Sequence, residues 1–275
     1  MSPGKILKVL WRSRSLSFAA HYRSSTTNRD GGRGVYAWRT GDGADVHFRR
    51  GTSDVGIIYD VLLKPGRKAE YWLPEELEPR TILDIGGNIG ITSRYLAHFF
   101  PGAQVHAFEP VPANLELLRS NTAGNVRIHV HPYALGPADG EITLGSPDPS
   151  GYNQGGYSAF TTTADGETIC APVRSVESAL GEAGMGVADV IKIDTEGAEY
   201  SILSAIPEPV LGGARWIYGE LHTEAIAQRS DLRVLDFLSR WFDIDVYKPV
   251  RKKNYFFDAC RRDLCSRFRN FSRHR

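Results

Sequence analysis

Asp84-Ile-Gly-Gly-Asn-Ile-Gly90 stands between the short apolar run Thr81-Ile-Leu-Asp-Ile85 and a helically periodic stretch that stops before Pro101-Gly102. Strand, glycine loop and helix in that order open an α/β unit. Gly86, Gly87 and Gly90 let the backbone turn tightly and let a ligand approach where a Cβ would collide. The helix start beyond them offers free N–H groups and the positive end of its dipole. One strand later comes Phe108-Glu109-Pro110, with Glu109 nineteen residues after Gly90. A carboxylate there can accept hydrogen bonds from both hydroxyls of a ribose. The two motifs together point to an adenosine-containing ligand.

A dinucleotide fold sets a second loop glycine against a pyrophosphate. Here Asn88 takes that place, and the acid Asp84 precedes the first glycine by two residues. A carboxylate so placed repels phosphate and favours a cationic amino-acid group, directly or through water. S-adenosylmethionine carries a ribose, an α-amino group and a sulfonium, and no phosphate. It is the expected cofactor.

Outward from this loop, strands and helices alternate. Gln104–Phe108, Val126–Val130, Asp189–Ile193 and Arg215–Leu221 read as strands. Helices are expected from Ile57 to Leu63, from Pro112, from Val176 to Leu180, from Glu199 to Ile206 and from Glu224 to Trp241. Residues 136–172, rich in Gly, Pro, Ser and Thr, read as an insertion of hairpins and loops. Such alternation implies a Rossmann-like α/β fold, a mainly parallel sheet with helices on both faces.

Three elements carry a family resemblance: Asp84-Ile-Gly-Gly-Asn-Ile-Gly90, then Ala107-Phe-Glu-Pro110 with Pro112 and Asn114, then Ile191-Lys-Ile-Asp-Thr-Glu-Gly-Ala-Glu199. Together they resemble the FkbM family of S-adenosylmethionine-dependent methyltransferases, from about residue 50 to Tyr247. The resemblance implies the class I methyltransferase fold, a seven-stranded sheet whose last strand is antiparallel. It also implies methyl transfer to oxygen, commonly on a sugar or secondary metabolite. Asp84, Gly86, Gly87, Asn88, Gly90, Glu109, Pro110, Asn114 and Asp194 are then the expected cofactor contacts. Ala134 and Leu135 join them at the adenine, unless Leu135 is plain core. Thr195, and Ser175-Val-Glu177, depart from the usual family residues without touching the cofactor elements.

Ligands of open α/β sheets collect at the carboxyl ends of the strands. Asp194 and Glu196 follow one strand, Glu220 and His222 the next, each pair at i, i+2 and so facing one way in extended backbone. Removing a hydroxyl proton during methyl transfer suits a general base, and His222, with a reference pKa of ~6.5, is the expected one. Asp194, Glu196 and Glu220 are also a candidate Mg²⁺ set that would acidify the hydroxyl. The plainer alternatives are helix caps for Asp194 and Glu196, and pairing of Glu220 with Arg215 or Lys192. Acceptor contacts are expected from Ser53, Asp54 and Tyr71, with an N-cap as the alternative for Asp54. Tyr152, Asn153, Tyr157 and Ser158 in the insertion offer the aromatic and amide surface that sugars favour.

Composition bounds the rest. Of 33 basic residues, nineteen lie in the ends 1–50 and 251–275, which hold five of the 32 acids. Residues 1–45 read as a basic extension and linker, 46–250 as the methyltransferase domain, and 251–275 as the last strand's end and a basic amphipathic tail. In that tail Phe257, Cys260, Leu264, Phe268 and Phe271 recur at helical steps. The tail suits either packing on the domain or peripheral contact with the inner face of a membrane. Three cysteines without a CxxC pair argue against a disulfide framework or thiolate zinc site. No stretch approaches the ~20 apolar residues of a membrane span, so a reduced, cytoplasmic protein is expected. Its partners would be a small-molecule, glycan or glycolipid acceptor, with a homo-oligomer left open. A nicotinamide-dependent oxidoreductase on the same type of sheet, and a nucleic-acid methyltransferase or binder, are the alternatives. The first lacks the pyrophosphate loop and the second faces an acidic rim that repels phosphates.

Overall fold

The computed structural model describes residues 2–25, 31–146, 148, 150–160, 168–222, 230–247 and 254–267. Seven strands form its main sheet: β3 (Thr81–Ile85), β4 (Gln104–Phe108), β5 (Ile128–His131), β9 (Val190–Ile193), β10 (Trp216–Leu221), β11 (Phe242–Tyr247) and β12 (Tyr255–Arg261). Their order is β11-β12-β10-β9-β3-β4-β5. β3, β4, β5, β9 and β10 pair in parallel, whereas β12 runs antiparallel to both β10 and β11. This is the class I methyltransferase arrangement, with its antiparallel last strand.

Alternation along each strand divides the apolar side chains between two cores. Ile82, Val190 and Trp216 face one layer, and Leu83, Ile191 and Ile217 the other. On the first side lie α1 (Pro3–Ser13), α2 (Leu16–Ser24), α3 (Asp54–Ile58), α4 (Ile91–Phe99) and α5 (Pro112–Thr122). On the second lie α6 (Val176–Glu182), α7 (Glu199–Leu203), α8 (Glu208–Gly213) and α9 (Ser230–Leu238). The helix expected at Ile57–Leu63 is shared between α3 and a π-helical segment, Tyr59–Leu63. Of the expected Glu224–Trp241 helix, residues 224–229 lie outside the described residues.

The N-terminal extension is part of the fold. Val9, Phe18 and Tyr22 are buried in the same cluster as Tyr36 and Phe48. The latter two belong to an antiparallel hairpin of β1 (Arg33–Ala37) and β2 (Asp45–Arg49). Arg94 of α4 pins that hairpin, donating to Asp42 Oδ2 at 2.7 Å and to the Asp45 carbonyl at 2.6 Å. Asn121 of α5 fixes β2 beside the glycine loop, taking the His47 N–H at 2.6 Å and donating to the Ile89 carbonyl at 2.7 Å. Gly- and Arg-rich composition hid a strand whose inward residues alternate correctly.

The helical reading of the tail fails for Phe257 and Cys260, which lie in β12. A three-residue step holds one face of a helix but switches faces in a strand. Accordingly Phe257 enters one core and Cys260 the other. Phe268 and Phe271 lie outside the described residues. In the insertion, β6 (Ala134–Gly136), β8 (Thr168–Ser175) and β7 (Gly140–Gly145) make a separate three-stranded sheet in that order.

Candidate functional site

The chain winds from β3 outward to β5, then returns to β9 on the other side of β3. Such a switch in strand order opens a crevice at the strands' carboxyl ends. Ile85 sits opposite Ile193, so Gly86 and Asp194 leave the sheet together. A Cβ on Gly86 would lie 1.9 Å from the Asp194 carbonyl oxygen, and its φ is +84°. Both facts require glycine.

Under the loop, Lys192 Nζ donates to the Gly86 carbonyl at 2.6 Å and lies 3.1 Å from Asp84 Oδ1. Ser93 Oγ donates to Asp84 Oδ2 at 2.5 Å. Burial opposes charge on Lys192, yet Asp84 and Asp194 hold its pKa above the usual lysine value. Fully buried Asp84 is therefore the counter-ion of Lys192. The direct contact with a cationic ligand expected of it is not available, because this side chain is spent inside the scaffold.

Glu109 is placed by backbone groups. Its Oε2 accepts from the Asn88 N–H at 2.7 Å, and its Oε1 from the Val111 N–H at 2.9 Å and Asn114 Nδ2 at 3.4 Å. Burial raises its pKa against the pull of those donors. A carboxylate offers about four acceptor positions, so one remains on Oε2, and the long Asn114 contact is the readiest to yield. Glu109 lines a cleft with about 640 Å³ of empty space up to its open mouth, walled by Pro110, Val111, Ala134, Leu135, Leu144 and Tyr157. A second, smaller cleft is lined by Tyr71, Asn88, Lys192 and Asp194. The two meet at Gly86 and Asp194.

These residues fit S-adenosylmethionine. The apolar walls suit an adenine, Glu109 a ribose hydroxyl, and the smaller polar cleft an amino-acid end. Asn88 Oδ1 is buried with no hydrogen-bond partner among the described residues. An orphaned acceptor of this kind costs about 1–3 kcal/mol unless a donor arrives, and a ligand N–H or O–H would supply one.

The insertion roofs the loop mainly through backbone contacts. Tyr152 O accepts from the Ser53 N–H at 2.9 Å, Gln154 O from Asn114 Nδ2 at 3.2 Å, and Ser158 Oγ donates to the Glu196 carbonyl at 2.7 Å. The Asn153 N–H bonds Asp148 Oδ2 at 2.9 Å. Of the four insertion residues expected to touch an acceptor, Tyr157 lines the larger cleft, while Ser158 belongs to the scaffold. Asp54 is a second correction. It is fully buried, with its oxygens each 2.9 Å from Arg49 Nε and Nη2, so it cannot reach a substrate. Arg49 also donates to Asn114 Oδ1 at 2.9 Å, tying Asp54 indirectly to Glu109.

The acidic rim gathers around His222. Its Nε2 lies 3.1 Å from Glu196 Oε2 and 3.8 Å from Asp194 Oδ1 and Glu220 Oε1, and its Nδ1 lies 3.0 Å from Glu199 Oε1. Burial works to lower its pKa, but the hydrogen bonds to Glu196 and Glu199 push it up to about 12. An imidazolium has no lone pair left to take a proton, so the general-base role expected of His222 does not fit this arrangement. Burial also raises the pKa of Glu196, against the opposing hydrogen bond from His222. Tyr71 donates its hydroxyl to Asp194 Oδ2 at 2.9 Å, and burial with that neighbouring charge holds the phenol protonated. Glu220 accepts from Asn254 Nδ2 at 2.7 Å, while Lys192 pairs with Asp84 and Arg215 lies 4.0 Å from Asp189.

Glu199, read from the sequence as a helix-start acid, organises this rim. Its Oε1 accepts from the Thr195 N–H at 3.0 Å, Thr195 Oγ1 at 3.2 Å and the Gly197 N–H at 3.1 Å. It thereby holds Glu196 at φ +53°, a conformation that non-glycine residues seldom adopt. For a metal, ligand atoms of Asp194, Glu220 and His222 lie within 4.8 Å of one another. His222 replaces Glu196 in the expected set. Mg²⁺ favours oxygen ligands, whereas the third group here is an imidazole whose hydrogen bonds to Glu196 and Glu199 favour its protonated form.

Residues 84–243 match the methyltransferase FkbM domain model. The chain is 27% identical over 175 residues to the 31-O-demethyl-FK506 methyltransferase FkbM of Streptomyces tacrolimicus, covering 54% of this chain and 67% of that one. It is 28% identical over 160 residues to the 2-O-methyltransferase NoeI of Sinorhizobium fredii, covering 54% and 65%. The antimetabolite synthetase AmbE of Pseudomonas aeruginosa is 26% identical over 188 residues, which is 9% of its length. A crystal structure of a methyltransferase FkbM from Methylobacillus flagellatus aligns over 66% of this chain and 44% of that one, at 20% identity and a TM-score of 0.46.

Proposed function

This chain belongs to the FkbM methyltransferase family, and from that premise we propose that it methylates a hydroxyl oxygen of a sugar, glycoconjugate or other secondary metabolite. The observation that carries the reading is Asp194, which lines both clefts and so stands at the junction of a cofactor's nucleoside and amino-acid ends, where its methyl group would lie, with Glu196 lining the larger cleft beside it. Two relatives bear names that specify O-methylation, FkbM and NoeI. Bound S-adenosylmethionine would supply an electrophilic methyl group.

The chain's own residues then position the acceptor and move one proton. Glu109, Asn88 and the Leu135 wall orient the cofactor in the crevice. Glu196 takes the hydroxyl proton on Oε1 as the oxygen attacks, since it is Oε2 that faces His222. Its raised pKa brings it nearer the working pH, as a general base requires. His222 keeps Glu196 in place and offsets the negative charge of Asp194, Glu199 and Glu220. Positioning and proton transfer together can account for several kcal/mol of barrier reduction.

Incubation of the chain with methyl-labelled donor and fractionated sugars and glycolipids, followed by mass analysis, tests this reading. Label that survives alkali and is released as methyl iodide by hydriodic acid, on a product lacking nitrogen, supports transfer to a hydroxyl oxygen. Label on nitrogen, carbon or nucleic acid overturns it.

A further inference from the structure

Tyr71 turns toward Asp194, but its neighbour Trp72 lines a different cavity. This groove has about 1110 Å³ of space up to its open mouth, and Trp11, Trp72 and Phe99 share its lining with Arg12, Arg14 and Lys64. Glu75 is the one acid in the lining. Beside it, α1 buries Val9 and leaves Leu7 65% and Trp11 77% exposed, and Leu16 at the start of α2 is 77% exposed. Leu7 and Trp11 are four residues apart and therefore neighbours on one helix face. Exposed Lys8 and Arg14 flank them.

Exposed Leu7 and Trp11 share one face of α1, Trp11 also lining a groove that carries Arg12 and Arg14, whereas Lys64 is paired with Asp60 at 2.7 Å. The result is a surface with two chemistries. Its apolar part suits the acyl boundary of a bilayer, where tryptophan settles at headgroup depth. Its cations suit lipid phosphates, which attract such clusters at short range. We propose that this face seats the chain on an anionic phospholipid bilayer, with Leu7 and Trp11 entering the boundary and Lys8 and Arg14 meeting phosphates. This surface is not the C-terminal tail, and it lies outside the cofactor clefts.

Co-sedimentation of the full chain with two vesicle types tests the proposal: pure phosphatidylcholine, and phosphatidylcholine with phosphatidylglycerol in a two-to-one mixture. The chain is expected to sediment with the mixed vesicles, less so at high salt, and weakly with the neutral ones. Trp11 emission should shift to the blue, and a Trp11→Phe variant should lose that shift while still binding. The double variant Leu7→Ser/Trp11→Ser should bind on the order of tenfold more weakly, and Lys8→Glu/Arg14→Glu should bind weakly at low salt, both with unchanged S-adenosylmethionine affinity. Equal binding to both vesicle types overturns the proposal. So does wild-type binding by the Leu7→Ser/Trp11→Ser variant, which would place the contact elsewhere. A concentration-dependent dimer that the same variant dissociates, without vesicle binding, would identify a second copy of the chain as the occupant instead.

Discussion

Glu199 Oε1 stands 3.0 Å from His222 Nδ1 while also accepting three hydrogen bonds from the Asp194–Gly197 loop. One carboxylate oxygen thus fixes both the protonation of the imidazole and the left-handed turn that presents Glu196. Removing it should disturb charge and geometry together. Glu199→Gln keeps the shape and loses the charge, so the His222 pKa should fall from about 12, as read by NMR titration of its ring protons. Turnover should fall by the ~10²–10⁴ typical of a misplaced general base, with cofactor affinity retained. An unmoved titration would show that Glu199 does not hold the proton.

The pH dependence follows from the same shifts. The His222 pKa is raised in the folded chain, so its contribution to stability is complete below its unfolded value of ~6.5 and is lost as pH climbs toward about 12. Denaturant unfolding across that range should show declining stability, and His222→Gln should flatten the slope. In activity, the acid limb should report a carboxylate, displaced upward because burial raises Glu196. A limb near ~6.5 that vanishes in His222→Gln would restore the imidazole as base.

Gly86→Ala should abolish the site. A Cβ 1.9 Å from the Asp194 carbonyl oxygen, at φ +84°, forces β3 and β9 apart at their carboxyl ends. Calorimetry should find no cofactor binding, and the melting temperature should drop. Retained affinity would mean the loop relaxes without parting from Asp194.

The loop and the carboxylate of the candidate site are legible in the sequence because their signals are local. Gly86, Asn88 and Gly90 lie within five residues, and one strand separates them from Glu109. The scaffold roles of Asp84 and Asp54 were not legible. Each depends on a cation brought close by tertiary structure, Lys192 from β9 and Arg49 through a bend in the chain. Lys192 sits in the quoted family motif, yet nothing in a strand pattern says that an apolar position buries an ammonium. The i, i+2 spacing from Glu220 brings His222 into the acidic cluster, but the carboxylates around it favour an imidazolium over the neutral base that its residue type suggests. A residue type suggests a reference pKa, whereas the number of surrounding carboxylates sets the actual one. Of the N-terminal hairpin, the apolar Val46-His-Phe48 reads as a strand, whereas glycine and arginine around Val35 and Tyr36 mask its partner strand.

Phe18→Ala should show that the N-terminal helices belong to the folded unit. Phe18 is fully buried, 4.6 Å from the Tyr36 ring centroid. Its truncation should cost about 3–5 kcal/mol in a urea titration. A loss under ~0.5 kcal/mol, the range of surface substitutions, would mean that α2 is dispensable packing.

Chelation should leave methyl transfer intact. His222 Nε2 lies 3.1 Å from Glu196 Oε2 and 3.8 Å from Asp194 Oδ1 and Glu220 Oε1, spacings at which an imidazolium balances the carboxylates without an added cation. Assays after dialysis against EDTA, with and without added Mg²⁺ or Mn²⁺, check this. Activity lost on dialysis and restored by one of these ions would assign Asp194, Glu220 and His222 to metal binding.

Calorimetric titration of the wild-type chain and Glu109→Gln with S-adenosylmethionine, each also tested with NAD, is the most direct test. The account predicts binding of S-adenosylmethionine and not of NAD. It predicts affinity roughly ten- to a hundredfold weaker in Glu109→Gln, the loss of one charge-assisted hydrogen bond, with the melting temperature followed in parallel to separate loop disorder from lost contact. Tight NAD binding by wild type without uptake of S-adenosylmethionine, or equal S-adenosylmethionine affinity in the two chains, would contradict it.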